Sequence, residues 1–380
     1  MTIANELTKL NTNLTNAYTA VDGKGGTLPQ AQNFDNLATA ISSIPSGGIG
    51  ITREVKNGKY QIPTENFTFS LPSDVIDVGN NSLQYAFEGS PRLTSVDLSS
   101  LTTVSGVNSL RYAFDFCTAL TSVNLSSLTT ILGNYSFSNA FYGCTSLTNI
   151  DLSSLDTTSG SYCLQYAFRG CTRLTSIDLS SLTTVLGNGS LYYAFQDCTG
   201  LTSIDLSSLT EVTSDSGLSY AFYGCTALTN VNLSSLTTAS GGSSLSHAFD
   251  GCTSLTTVNL SSLTTTIGSN SLYFAFSGCK NLTSIDLPSL TTMTSSNGFS
   301  YAFYGCTALT DIYFRALTTS TFDTFTNQFS NMMQSTGSTV THTIHFPSNM
   351  ESTISGLTGY PLFGGTNGYV VLAYDLPATS

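Results

Sequence analysis

Hydrophobic and polar positions recur through the middle of the chain with a constant period of 27 residues. The dipeptide Ala-Phe marks this period, and it recurs nine times from Ala86-Phe87 to Ala302-Phe303 without an insertion or a deletion. The shared unit reads L-x-Y-A-F-x-G-C-T-x-L-T-S-I-D-L-S-S-L-T-T, followed by six variable residues rich in Gly, Ser and Asn. Repetition at such a period is typical of a solenoid, in which each repeat forms one coil.

Each unit combines a strand pattern with a helix-like pattern. In the coil of Phe168, the apolar Ile177 and Leu179 lie two residues apart, which predicts a short strand with both side chains facing inward. The upstream apolar residues with i, i+3, i+4, i+7 spacing are Leu164, Ala167, Phe168 and Cys171. This spacing predicts a helical segment with one buried face. Because one unit cannot bury these side chains alone, neighbouring units must stack.

The repeated pattern C-x-x-L-x-x-I-x-L…L…A-F-x-x-C resembles the BspA-like, or treponemal, class of leucine-rich repeat. The resemblance covers residues 66–317. Each coil here is a few residues longer than in that class, and Ser usually stands where Pro often follows the strand. The resemblance implies a leucine-rich solenoid that serves adhesion or recognition rather than catalysis.

The repeat and the resemblance together predict an α/β repeat solenoid. It is leucine-rich-repeat-like: a right-handed stack of nine 27-residue coils over residues 66–317, with one parallel β-sheet. Phe69 falls 27 residues before Val96, which predicts a degenerate first coil around Phe67–Leu71.

The N-terminal segment has a different pattern. Apolar residues step by four and three through residues 3–21, which is a heptad stripe, and a second amphipathic stretch covers residues 34–44. We therefore predict a helical hairpin over residues 1–45, for anchoring or oligomerisation, and a linker over residues 46–65. The hairpin either packs on itself or acts as a homo-oligomerising or docking module.

This segment also resembles the N-terminal segment of tail proteins of phages that infect gut Gram-positive bacteria. The residues that carry the resemblance include the Lys24-Gly25-Gly26 turn and the second helix ending at Ile44-Pro45. The resemblance implies a virion protein of a phage tail, assembled in the bacterial cytoplasm. Its N-terminal helices would contact other tail proteins or form a homo-oligomer such as a trimer.

Residues 318–380 depart from the repeat and are predicted to form a small C-terminal α+β cap. Strands are expected at Thr341–Phe346 and Tyr369–Asp375, and a helix at Thr319–Met333. This unit would either seal the last coil or form a receptor-binding tip.

Charge and composition narrow the classes of function. The 380 residues include 11 Lys and Arg against 23 Asp and Glu, which gives a net charge of −12 at pH 7. This negative excess argues against nucleic-acid partners and against docking on anionic membranes. No apolar run approaches the ~18 residues of a membrane-spanning helix, and the first residues lack the apolar region of an export signal. We therefore expect neither membrane insertion nor a signal peptide.

Candidate catalytic chemistry is sparse. Eight of the nine cysteines lie in one repeat column, and a spacing of 27 matches no zinc pattern, which predicts stacked, buried free thiols. The histidines His247, His342 and His345 do not suit a shared metal, and they complete no nucleophilic triad. We expect no metal, no cofactor and no enzymatic activity. A glycan-active enzyme that uses stacked carboxylates is a remote alternative.

Two repeated surfaces are candidates for binding. The outward strand face carries a Ser/Asn column beside an Asx column that includes Asp151, Asp178 and Asp205, and such hydroxyl and carboxylate groups suit glycans. The turn face carries an aromatic column beside the most variable column. Its candidate binding residues are Tyr85, Tyr112, Tyr166, Tyr193, Tyr220, Tyr301, Arg169 and Tyr223. These rings either form a recognition surface or only stack on each other and cover the edge of each coil.

These observations lead to one main hypothesis of function. The chain is a phage-tail or virion-associated structural fibre protein whose leucine-rich-repeat surface recognises a host-cell glycan or surface protein. The alternative is a BspA-like adhesin on a bacterial cell surface that binds host matrix or mucin.

Overall fold

A computed structural model defines the fold. The residues that it describes are 55–56, 59–60, 65–71, 73–293, 297–318, 341–352 and 370–378. The helical hairpin predicted over residues 1–45 and the helix predicted over Thr319–Met333 lie outside these residues.

The described residues form short strands joined by turns. In chain order the first eleven are β1 (Val55–Lys56), β2 (Lys59–Tyr60), β3 (Phe67–Ser70), β4 (Leu93–Asp97), β5 (Thr103–Val104), β6 (Ser122–Asn124), β7 (Thr130–Ile131), β8 (Asn149–Asp151), β9 (Thr157–Thr158), β10 (Ser176–Asp178) and β11 (Thr184–Val185). They are followed by β12 (Ser203–Asp205), β13 (Glu211–Val212), β14 (Asn230–Asn232), β15 (Thr238–Ala239), β16 (Thr257–Asn259), β17 (Thr265–Thr266), β18 (Ser284–Asp286), β19 (Thr292–Met293), β20 (Asp311–Tyr313), β21 (His342–Pro347) and β22 (Val370–Leu376). A 3-10 turn covers Ser348–Met350.

The coils form a parallel-strand solenoid of about ten turns, and most coils contribute two strands. The longer strands stack in parallel with a register of 27 residues, so that Ile177 of β10 lies beside Ile204 of β12. The shorter strands form a second parallel sheet in the order β19-β17-β15-β13-β11-β9-β7-β5. The prediction of one parallel sheet is therefore wrong. Each short strand consists of the last residue of the unit, usually Thr, and the residue after it, which is often β-branched as in Thr130–Ile131 and Thr184–Val185.

The segment predicted to be helical is a series of tight turns. The N–H of Ala167 donates to the carbonyl of Leu164 at 3.0 Å, while the N–H of Phe168 donates to the carbonyl of Ala194 in the next coil at 2.8 Å. Tyr166, the third residue of the first turn, has φ 54°, as a type II turn requires. The helical prediction is wrong. The turns repeat every four residues and a helix every 3.6, and over so short a segment both periods bring the same side chains inward.

The core is built around a column of stacked phenylalanines. One ring per coil lies on the next from Phe87 to Phe303, with centroids 5.1–5.6 Å apart. The predicted inward residues of the coil of Phe168 are confirmed, since each is at most 4% exposed. Full burial of such a side chain contributes ~1.5–3 kcal/mol, so the energy of the core grows with each coil.

The repeat-column cysteines are buried and free, as predicted. Each thiol also bonds to the preceding coil: Cys198 Sγ donates to the carbonyl of Phe168 at 3.1 Å, and Cys225 Sγ donates to that of Phe195 at 3.2 Å. Burial raises the pKa of both thiols well above the ordinary value. Because the thiolate is the reactive form, these side chains are structural rather than chemical.

Neighbouring coils approach most closely at a glycine column. A Cβ on Gly241 would overlap the carbonyl group of Ser214 in the preceding coil. Ser214 takes the place of this glycine in its own coil, and there Gly217 replaces the serine that most coils carry. A Cβ on Gly217 would lie 2.6 Å from Ser214 Oγ, so the two exchanges conserve volume. The column continues through Gly106, Gly133, Gly160, Gly187 and Gly268.

At both ends of the described solenoid, further parallel strands continue the stack of longer strands. At the start, β3 pairs with β4 and Phe69 lies beside Val96, which confirms the degenerate first coil. At the end, β21 pairs in parallel with β20, and β22 with β21. The two C-terminal strands are confirmed to within one residue of their predicted bounds. Among the residues described, none forms a helix long and apolar enough to cross a bilayer.

Thr158 offers a test of the packing. Its side chain is fully buried, and Oγ1 has no hydrogen-bond partner among the described residues. The next two coils carry Val185 and Val212 at this position. We expect Thr158→Val to raise the free energy of unfolding by about 1–2 kcal/mol, because a methyl group replaces an unsatisfied hydroxyl. Chemical denaturation measures the free energy of unfolding. As the control, Thr199→Val at an exposed position should change this free energy by less than about 0.5 kcal/mol. A destabilised Thr158→Val would contradict this account.

Candidate functional site

The outward strand face contains a long trough lined by both polar and apolar residues. A depression of about 680 Å³ crosses strands β8 to β14, and a second of about 470 Å³ adjoins it and reaches β18. We call the two together the strand trough. Its outward polar lining includes Asn149, Asp151, Ser176, Asp178, Ser203, Asp205, Asn230, Asn232, Thr257, Asn259 and Asp286. The strand face predicted from the sequence therefore lies together as one strip.

The carboxylates of this trough also support their own backbone. Asp178 Oδ1 accepts the N–H of Ser180 at 2.9 Å, and Asp205 Oδ1 accepts that of Ser207 at 2.9 Å. Hydrogen bonds from the hydroxyl and the N–H of Ser180 hold the pKa of Asp178 below its ordinary value. The sequence reasoning missed this turn-capping role, although Asx before a Ser-Ser turn is its usual signal. The trough is negatively charged, because its lining includes Asp but no Lys or Arg.

The aromatic column forms a continuous ring stack on the turn face. Neighbouring centroids lie 4.3–5.1 Å apart and the planes are within 16° of parallel. The rings of this stack are Tyr166, Tyr193, Tyr220, His247, Phe274 and Tyr301. Because neighbours cover both faces of each inner ring, a ligand meets only ring edges and hydroxyl groups. Mutual stacking was one of the two interpretations left open by the sequence.

The tyrosines of this column adopt an unusual backbone conformation. Tyr166, Tyr193 and Tyr220 have φ of 54°, 57° and 56°. Left-handed backbone costs a residue with a Cβ roughly 1–2 kcal/mol. Ring stacking of ~0.5–1.5 kcal/mol per pair offsets much of this cost, together with hydrogen bonds to the next coil.

The variable column is less exposed than predicted. Asp115 and Gln196 are only 7% and 8% exposed, while Tyr142, Arg169 and Tyr223 are partly buried. Burial, followed by the nearby charge of Glu88, raises the pKa of Asp115 to about 6. The variable column is therefore not a freely exposed surface.

The predicted binding residues therefore fall into separate groups. Asp151, Asp178 and Asp205 lie together in the strand trough. The tyrosines lie on the turn face, with Tyr85 and Tyr112 forming a separate pair at 5.0 Å. The described residues contain no group of three or more His, Cys, Asp or Glu side chains placed to hold a metal ion.

His345 connects β20, β21 and β22, the last three strands of the sheet β18-β20-β21-β22. Its Nε2 lies 3.0 Å from Asp311 Oδ1, its Nδ1 lies 2.9 Å from Asp375 Oδ1, and its ring stacks on Tyr313 at 4.3 Å. Burial lowers the pKa of His345, but the hydrogen bonds with Asp311 and Asp375 outweigh it, so the pKa lies above its ordinary value. Hydrogen bonds from Thr310 and His345 hold the pKa of Asp311 below its usual range.

We expect the attachment of β22 to weaken as the pH rises through neutrality. A histidine with a raised folded pKa adds stability that is complete below its unfolded pKa of ~6.5, and this stability is lost as the pH rises through the folded pKa. Hydrogen-exchange protection factors of β22 amides, relative to those of β10, should fall above about pH 6.5. His345→Gln should remove this pH dependence. An equal fall in that variant would assign the effect to another group.

Comparison with solved structures returns bacterial leucine-rich repeat proteins. A leucine-rich repeat protein of T. pallidum is 24% identical over 57% of this chain and 78% of that chain, with a TM-score of 0.34. One from Bacteroides ovatus is 20% identical over 80% and 91%, with a TM-score of 0.25. A leucine-rich cell surface protein of Faecalibacterium prausnitzii is 20% identical over 71% and 87%, with a TM-score of 0.28. No curated protein matches the chain.

The family comparison agrees with the repeat and with the stacked coils. The model of the BspA type leucine-rich repeat region matches residues 60–165, 138–273 and 219–353, in six copies. Together these matches cover well over half of the chain and most of the solenoid. The chain therefore belongs to the BspA-type leucine-rich repeat family.

Proposed function

We propose that this chain is a recognition protein that binds an extended glycan along the strand trough. Membership of the BspA-type family points to adhesion or recognition. The observation that carries the proposal is the polar strip from Asn149 to Asp286, which repeats similar groups in each coil.

The repeat makes the trough suited to a polymer. Neighbouring strands stand ~4.8 Å apart, so each coil offers hydroxyl, amide or carboxylate groups at a regular step. A chain of repeating sugar units can use equivalent contacts in successive coils. The charge of Asp151, Asp178 and Asp205 disfavours acidic polymers, so the preferred glycan is neutral or carries amino groups.

Blocking variants test this proposal. On an array of neutral, amino and acidic oligosaccharides, the full chain should bind the neutral or amino glycans. Ser176→Tyr combined with Ser203→Tyr should weaken this binding at least about tenfold by filling the trough. Thr199→Tyr, at an exposed position outside the trough lining, is the control. Unchanged binding by the blocked variant, or a preference for acidic glycans, would refute the proposal.

A charge variant separates recognition from folding. Asp178→Asn and Asp205→Asn keep the turn cap, since Asn232 and Asn259 accept the same N–H bonds in their own coils. The variant with both substitutions should melt like the parent and still bind neutral glycans. It should lose the preference for amino glycans over neutral ones. Loss of neutral glycans as well would mean that the carboxylates bind sugar hydroxyls directly.

We further propose that the chain is a phage-tail or virion-associated fibre, attached through residues 1–45 to other tail proteins or to copies of itself. The resemblance of residues 1–45 to phage tail proteins supports this, and the virion would be its location. The specific alternative is an adhesin on a bacterial surface that binds host matrix or mucin. Light scattering of the full chain against a chain starting at Thr52 tests assembly, with a trimer that becomes a monomer favouring the fibre. Binding to whole bacteria rather than to mucin would separate the two roles.

A further inference from the structure

The aromatic column of the turn face is interrupted in one coil. Tyr85 and Tyr112 stack as a pair at 5.0 Å, and the long ring stack begins only at Tyr166. Between Tyr112 and Tyr166 the column carries Asn139, which has the same left-handed backbone, φ 56°. Two coil steps separate the rings of Tyr112 and Tyr166 by roughly 10 Å, which is the spacing that a third ring fills elsewhere in the column.

Two arginines approach the coil of Asn139 from its two neighbours. The Arg111 guanidinium lies 5.2 Å from the ring of Tyr112 and 5.3 Å from that of Tyr135, which belongs to the coil of Asn139. The Arg169 guanidinium lies 5.6 Å from the rings of both Tyr142 and Tyr166, and Tyr142 also belongs to that coil. A guanidinium therefore flanks the interruption on each side, and the carboxyl group of Asp115 lies three residues after Tyr112 in one of the two neighbouring coils.

Arg111 and Arg169 make few close polar contacts with the described residues. Arg111 Nε is buried and has no hydrogen-bond partner there, and its Nη1 donates to Asn108 Oδ1 only at 3.5 Å. Arg169 Nε lies 3.8 Å from Asp197 Oδ2, which is a loose ion pair. The terminal nitrogens of Arg111 carry further N–H donors beyond this long hydrogen bond, and an anionic ligand can accept from them.

We propose that the interruption at Asn139 binds a planar aromatic ring that carries an anionic group. The ring lies between Tyr112 and Tyr166 and replaces the missing member of the column. The anionic group, a phosphate or a carboxylate, pairs with Arg111 and Arg169. Asn139 is partly buried and its Nδ2 donates to Ser138 Oγ at 3.0 Å, so the second N–H and the amide oxygen are the groups that it can offer to polar substituents of the ring.

Each element of this ligand follows from a separate feature. Aromatic faces favour a planar ring, because the stacks on either side already hold rings at 4.3–5.1 Å. Guanidinium groups favour an oxyanion, which they can bind with paired hydrogen bonds. The net charge of −12 disfavours a long polyanion, so the ligand is a single small molecule or group. This site is separate from the strand trough and does not depend on the proposed function.

Binding of 1-naphthyl phosphate to the full-length chain tests the proposal. The chain contains no Trp, so the fluorescence of the naphthyl group can be followed with little interference. We expect saturable binding with one probe per chain. Cyclohexyl phosphate, which lacks a planar ring, and neutral 1-naphthol should each bind at least about fivefold more weakly. Equal binding of either compound would overturn the corresponding half of the proposal.

Asn139→Tyr is the decisive variant, because it fills the interruption with the chain's own ring. Tyrosine already occupies this column with φ of 54–58°, so the variant should fold and melt at or above the parent temperature. It should weaken probe binding at least about tenfold. His247→Tyr, within the uninterrupted stack, is the matched control and should bind the probe normally.

Arginine variants keep the test decisive if Asn139→Tyr does not fold. Arg111→Gln and Arg169→Gln should each weaken naphthyl phosphate about threefold or more, while leaving naphthol unchanged. Absence of saturable probe binding to the parent would overturn the proposal. Parent-like binding by Asn139→Tyr, or by both arginine variants, would also overturn it.

Discussion

Phe195→Asp is expected to abolish the cooperative unfolding of the solenoid. Phe195 is fully buried in the middle of the phenylalanine column, with ring centroids 5.2 Å from Phe168 and 5.3 Å from Phe222. Loss of a buried Phe side chain costs ~3–5 kcal/mol, and burial of an unpaired carboxylate adds several more. Together these costs approach the whole stability of a typical domain, ~5–15 kcal/mol. Circular dichroism during heating should show no sharp transition.

Phe116→Asp is the matched control for this result. Phe116 is 52% exposed and has φ 53°, and Asp197 occupies the equivalent position of another coil with φ 59°. The same chemical change should therefore alter the unfolding free energy by less than about 1 kcal/mol. A sharp transition of Phe195→Asp at the parent temperature would contradict the stacked-core account.

Gly241→Ala should be the most damaging of the small substitutions. Its Cβ would overlap the backbone carbonyl of Ser214, and backbone can move aside only by separating two coils. We expect a loss of about 3 kcal/mol or more in the free energy of unfolding, measured by chemical denaturation. Ser214 occurs in the same column in a coil where Gly217 leaves room for its hydroxyl, whereas the coil of Gly241 keeps the buried Ser244.

The next residue along the chain provides the control. A Cβ on Gly242 would meet the flexible carboxylate of Asp215, at 3.0 Å, and Ser269 Oγ, at 3.6 Å, and neither Gly241 nor Gly242 needs a positive φ. Gly242→Ala should therefore change the stability by less than about 1 kcal/mol. Equal effects of the two substitutions would mean that lost backbone freedom, rather than coil contact, determines the cost.

The sequence was sufficient to predict the solenoid, its period and its core. Phe168, Cys171 and Leu179 recur at constant spacing, and constant spacing leaves stacking as the only way to bury them. The element between them was not predictable by the same means. Leu164 and Phe168 fit a helix and a series of four-residue turns equally well. The positive φ of Tyr166 distinguishes the turns from a helix, and tyrosine rarely adopts a positive φ.

The candidate surfaces were predictable in position but not in character. Repeat register alone places Asp178 beside Asp205. Their capping of the following turns, and the covering of each tyrosine face by the next ring, appear only in the folded coils. The sequence shows the interruption at Asn139 as one non-aromatic residue in an aromatic column. The proposed binding site, however, depends on where Arg111 and Arg169 lie in the folded chain.

The glycine and phenylalanine columns have a further consequence for how such proteins change over generations. Most junctions between coils are made by the same close approach of the backbones, the same contact between phenylalanine rings and the same thiol hydrogen bond. The junctions are therefore nearly equivalent along the solenoid. Unequal recombination between near-identical gene segments can therefore remove or add whole coils while rejoining compatible surfaces. The length of the solenoid becomes adjustable in steps of one coil, and such an exchange could lose a coil that differs from its neighbours, such as that of Asn139.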